Sequence, residues 1–114
     1  MPQIPDIKES ETWKVRTTLR ERYDEDIELQ MADAEIRIHP SDKELSSCPV
    51  WYWQREDCNF VVFKTGDQNY RCQFFYRPYQ QYGTGVHEYT DIAECVVSLL
   101  QTQADYEAKE RGDI

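Results

Sequence analysis

NFVVFKTGDQNYRCQFFYR, residues 59–77, reads as two strands and the turn between them. Both ends are rich in β-branched and aromatic side chains, and TGDQ at 65–68 is built from turn formers. This predicts an antiparallel hairpin, strands at 59–64 and 69–77, with Gly66 supplying the positive φ of the connection. Alternation puts Tyr70, Cys72, Phe74 and Tyr76 on one face of the second strand. Asn69, Arg71, Gln73, Phe75 and Arg77 take the other. The first set predicts a core face. Phe75 stands among polar neighbours and is the residue out of place.

Outward from the hairpin, VWYWQ at 50–54 predicts another strand. DIELQM at 26–31 alternates through Ile27, Leu29 and Met31, and AEIRI at 34–38 alternates through Ala34, Ile36 and Ile38. The phase slips between the two runs, which predicts two strands joined by a tight turn at Ala32-Asp33. Pro40 ends the second of them, and the Ser41-x-x-Glu44 pattern predicts a helical turn at 42–46. Residues 10–23 fit a strand alternation through Trp13, Val15, Thr17 and Leu19, and also a helix through Val15, Leu19 and Tyr23 at fourfold spacing; the LRERY ending and Ser10 as N-cap favour the helix. Ile92, Cys95, Val96, Leu99, Leu100 and Gln103 follow helical spacing behind a Thr90 or Asp91 cap, with Glu94 completing a capping box. Residues 78–90 read as a loop with two glycines and three tyrosines.

The expected fold is α+β. A single antiparallel sheet of about five strands carries an N-terminal helix and a C-terminal amphipathic helix on one face. Residues 1–9 read as a flexible arm, 10–108 as the single domain and 109–114 as a frayed tail. The strands at 50–54 and 59–64 are apolar on both faces, so the second face also needs a cover: the arm, the 78–90 loop, a second protomer in a homodimer, or a ligand.

The chain has 114 residues and a net charge of −9, which repels a phosphate backbone, and the glycine-and-basic pattern of RNA-recognition sheets is missing. The densest acidic run, DEDIE at 24–28, is too short for a nucleic-acid mimic. No apolar run approaches a membrane span, and MPQIPDIKESE has no secretory pattern, so the expected compartment is the cytoplasm. Cys48, Cys58, Cys72 and Cys95 include no close pair of zinc-ligand type, with His39 and His87 too far off in sequence to complete one. They are expected to be reduced, buried thiols. GTG at 83–85 lacks the spacing of a phosphate loop. No metal and no cofactor is expected. Cys58 with His87 is the one nucleophile–base pair to test, and a site near His87 with a cysteine and carboxylates would define the alternative reading, a small enzyme or small-molecule-binding domain.

Twelve of the fifteen aromatic residues fall between Trp51 and Tyr89, which favours recognition of another protein, because Tyr and Trp give large contact area at low entropy cost. The expected contact residues are Phe75 as anchor, Arg71 and Arg77 flanking it, Tyr79 and Tyr82 on a flap beside it, and Trp51 and Trp53 on the neighbouring strand. Pairing is expected to end at Pro78.

The stretch CPVWYWQREDCNFVVFKTGDQNYRCQFFYRPYQQYGTG and the helix after it resemble small cyanobacterial cytosolic proteins. Among these is a chaperone of carboxysome assembly that holds the C-terminal tail of a shell protein. The order of elements is also similar to that of small secretion-chaperone-like domains. The resemblance implies a non-catalytic adaptor or assembly chaperone, and it carries no functional residues with it.

Overall fold

A computed structural model of the chain describes residues 4–37, 41–77 and 80–112. Helix α1 (Glu9–Tyr23) is followed by strands β1 (Gln30–Ile36), β2 (Ser46–Arg55), β3 (Cys58–Gly66), β4 (Asn69–Arg77) and β5 (Gln80–Tyr82), and then by helix α2 (Ile92–Glu110). The strands form one antiparallel sheet in the order β1-β2-β3-β4-β5. This is the expected α+β architecture, with both helices on one face.

Registers fix the two faces. Trp51 opposes Val62, which opposes Cys72, and Trp53 opposes Phe60, which opposes Phe74 and then Tyr82. These rows lie under the helices and meet Val15 and Leu19 of α1 and Ile92, Cys95, Val96, Leu99 and Leu100 of α2. Trp51 Nε1 donates to Thr12 Oγ1 of α1 (3.1 Å), and Gln103 of α2 donates to the Tyr76 hydroxyl (3.1 Å). Phe74 stacks on Tyr82 with ring centroids 5.3 Å apart, and Tyr106 of α2 packs on both at 5.8 and 4.7 Å.

Lys64 shares this covered face, because it stands two and four residues beyond Val62 and Phe60. It is fully buried and donates from Nζ to the Asp6 carbonyl (2.8 Å) and to Glu11 Oε1 (2.8 Å). Glu11 Oε2 accepts from the Tyr70 hydroxyl, and Glu11 Oε1 also accepts from the Lys8 backbone N–H (2.8 Å). The last bond closes the first turn of α1, so the helix starts at Lys8–Glu9 and not at a Ser10 cap. Burial pushes the Glu11 carboxyl up, but bonds from Lys64, Tyr70 and the Lys8 backbone outweigh it and hold the group below its ordinary value. One charged cluster thus ties the start of α1 to the middle of the sheet. At α2 the cap is as expected: Asp91 Oδ1 accepts from the Ala93 N–H (3.0 Å).

Several local expectations are corrected. Ala32-Asp33 is no turn, and residues 30–36 are one strand paired to β2 throughout. The phase slip marks a change of side along an edge strand. Leu29 and Met31 serve the helix-covered face, whereas Ala34 and Ile36 oppose Cys48 and Ser46 on the other. Ser41 to Glu44 start no helix, because β2 begins at Ser46, four residues earlier than the apolar run suggests. Gly66 does not supply the positive φ of the β3–β4 turn; Gln68 does, at 65°. A Cβ on Gly66 would lie 3.0 Å from Asn69 Nδ2, so the glycine there serves close approach. β4 ends at Arg77 as expected, but 78–90 is not loop throughout: Gln80–Tyr82 doubles back as β5 along Phe74 and Phe75. Pro78 lies outside the described residues, as do His39 and Pro40.

Candidate functional site

The side chains between those covered rows point to the opposite face. One row runs Ala32, Val50, Phe63, Arg71, a second Gln30, Tyr52, Val61, Gln73, and a third Gln54, Asn59, Phe75, Gln81. Among the described residues no helix crosses this face. Tyr52, Val61, Phe63 and Phe75 are all half-buried there, unlike the fully buried rings across the sheet. Asn59 braces the strip: its Nδ2 donates to the Phe75 carbonyl (3.2 Å), and its Oδ1 accepts from the Tyr52 hydroxyl.

The chain after β5 returns to one end of this face. Tyr89 forms a backbone bridge to Tyr70, with both N–H···O distances at 2.8 Å. Glu88 then reaches in, accepting from Thr65 Oγ1 (3.0 Å) and facing Arg71 Nε (3.6 Å). Beside this contact lies a recess of about 500 Å³. Phe63, Ile36 and Val86 supply its apolar wall, and Arg37, Arg71 and His87 supply its polar one. In a chain of net charge −9, this end of the open face gathers cationic and hydrogen-bonding groups. An apolar side chain joined to a carboxylate fits such a recess chemically.

The structure divides the expected contact residues. Phe75 does lie on the open face, and Arg71 lies on the same face four residues away. Arg77 does not flank Phe75: the β4–β5 register shifts between them, and Arg77 lines a recess with Tyr76, Tyr106 and Glu107 at the end of α2. Tyr82 opposes Phe74 and packs into the aromatic cluster under α2, so it belongs to no flap beside Phe75. Trp51 and Trp53 are buried beneath the helices and present no surface. Their neighbour Tyr52 is the β2 aromatic on the open face. Tyr79 lies outside the described residues. Phe63, Ile36, Arg37 and Val86 were missed, although the alternation of 59–64 already placed Phe63 on the same side as Val61.

The Cys58–His87 pair is not assembled. Cys58 interacts with Tyr76 near one end of β4, and His87 lies by Arg71 near the other, roughly 16 Å away along the strand. Burial pushes the Cys58 thiol up to about 12 and the Cys48 thiol up to about 11, the reverse of an activated nucleophile. Cys72 borders the His87 recess, but its Sγ points through to the Cys95 carbonyl (3.8 Å) on the covered face. Among the described residues no group of three His, Cys, Asp or Glu side chains could hold a metal ion, and no helix is long and apolar enough to cross a membrane. Comparison of the chain with family models, curated proteins and solved structures finds no match.

Proposed function

We propose that the chain is a non-catalytic adaptor or assembly chaperone, working in the cytoplasm, that holds a segment of a partner protein on its open sheet face. The observation that carries this reading is the placement of both helices on one side. It leaves Tyr52, Val61, Phe63 and Phe75 half-buried on the other side, beside a recess edged by Arg37, Arg71 and His87. The segment would lay an apolar or aromatic side chain along Phe63 and Phe75 and bring a carboxylate, from an acidic residue or a chain end, to the arginines. A second copy of this chain is a poorer occupant, because both copies carry −9. The carboxysome-chaperone resemblance gives the reading its most particular form, in which the held segment is a C-terminal tail.

The test is to capture partners from cells with the wild-type chain, map the bound segment with synthetic peptides, and compare affinities. Phe75→Ala and Phe63→Ala should each weaken binding by about 2 kcal/mol, roughly thirtyfold, with little change in thermal melting. Unchanged affinity in both variants sinks the reading. A small molecule occupying the recess in place of a peptide would turn it toward the ligand-binding alternative.

A further inference from the structure

A cavity of about 830 Å³ lies elsewhere, between α1 and the edge of β1. Among the described residues β1 has a strand neighbour on one side only. Along its other side alternate backbone N–H and C=O groups face outward, which is the template an added strand requires. α1 forms the opposite wall. Glu9, Thr12, Trp13 and Arg16 share one helical face over the groove, and Asp6 and Ile7 close its end. Trp13 is 66% exposed and Met31, facing it from β1, is 50% exposed. These are two of the largest apolar side chains the molecule leaves in solvent, and both line one groove. Trp13 precedes Val15 by two residues, which puts it on the side of α1 away from the core residues Val15 and Leu19, so no part of the described chain requires it to be aromatic.

The charges select the occupant. Among the described residues Asp6, Glu9 and Asp33 line the groove against a single cation, Arg16, and Glu35 follows Asp33 on the same side of β1. Self-pairing is disfavoured by the same residues. Two copies of β1 paired antiparallel about their midpoint would set Asp33 against its own counterpart and Met31 against Glu35. We infer that this groove receives an extended segment of a partner protein as a sixth strand, the segment carrying an apolar and a basic side chain two positions apart on its groove side. The backbone ladder along Gln30–Ile36 supplies length, roughly 20 Å of strand. Trp13 and Met31 take the apolar side chain, and Asp33 takes the basic one. This surface is separate from the open face, which prefers a carboxylate, so an adaptor could hold two segments at once.

A random peptide library displayed against the full chain, counter-selected on Trp13→Ala, tests the inference. Enriched peptides should alternate apolar and polar positions and be net basic. A synthetic copy should protect β1 amides from hydrogen exchange. Because Trp13 is exposed, Trp13→Ala should leave the melt unchanged and weaken the peptide about tenfold or more. Asp33→Lys should weaken it comparably, and exchanging the peptide's lysine for glutamate should restore binding to that variant. Phe75→Ala should change this affinity less than about twofold, so failure here and failure at the open face are read independently. No enrichment, enrichment of acidic or non-alternating peptides, or protection confined to Phe63 and Phe75 would overturn the inference. So would a dimer in sedimentation that loses mass on Asp33→Lys.

Discussion

The two faces of the sheet are made by the same strands, residue by residue, and they obey different rules. Under the helices Trp51, Trp53, Phe60, Val62 and Phe74 are excluded from water, and even a lysine is enclosed once its partners are supplied. On the other side Tyr52, Val61, Phe63 and Phe75 are just as apolar but only half-covered, mixed with Arg71, Gln73, Asn59 and Gln54. Composition alone does not separate the faces, whereas register does. The difference teaches that the aromatic surplus of residues 51–89 is divided between two environments, and that neighbours in sequence such as Phe74 and Phe75 fall in opposite ones.

Substitutions can break that comparison, the severest first. Phe74→Ala removes a ring enclosed by Phe60, Tyr76, Tyr82 and Tyr106 and should cost about 3–5 kcal/mol in denaturant unfolding. Glu11→Ala strands the buried Lys64 and should cost about 3 kcal/mol, and a second change, Lys64→Met, should return much of it. The same carboxylate gives a pH signature. Its folded value lies below its unfolded one, so the stability it adds is complete above the ordinary carboxylate range and is lost as pH falls through the folded value. Stability measured from neutral pH down to strong acid should therefore drop less steeply below about pH 4.5 in Glu11→Gln than in the wild type. Phe75→Ala, on the open face, should cost about 1 kcal/mol or less. Equal damage from Phe74→Ala and Phe75→Ala would mean that the open face is core after all.

Where one physical rule acted alone, the sequence was readable. Alternation sorted β4 correctly as far as the register shift after Phe75, and helical spacing with an aspartate cap located α2 because its apolar face and its cap agree. Elements under competing influences were misjudged. β1 changes sides along its length because an edge strand meets a helix at one end and not at the other, and a slip of phase looks like a turn when the neighbours are unknown. β5 is three residues long and owes its existence to β4, so no pattern of its own could announce it. Trp51 and Trp53 were assigned to a binding face because tryptophan suits both interfaces and cores, and parity cannot say which side the helices choose. Lys64 was legible in principle, since it falls in step with Phe60 and Val62. Its acceptors, 53 and 58 residues away, were not.

The strand order runs without a crossover, so each strand finds its partner next to it along the chain. Such local pairing costs little loop-closure entropy and favours rapid assembly of the sheet. The helices behave otherwise: α1 and α2 meet across the whole of it, and Trp53 and Phe74 stay wet until α2 docks. Assembly therefore has a natural late step. During refolding, pulses of a thiol reagent should find Cys95 open after the β2–β3 and β3–β4 hairpins have formed and sealed once α2 has closed over them.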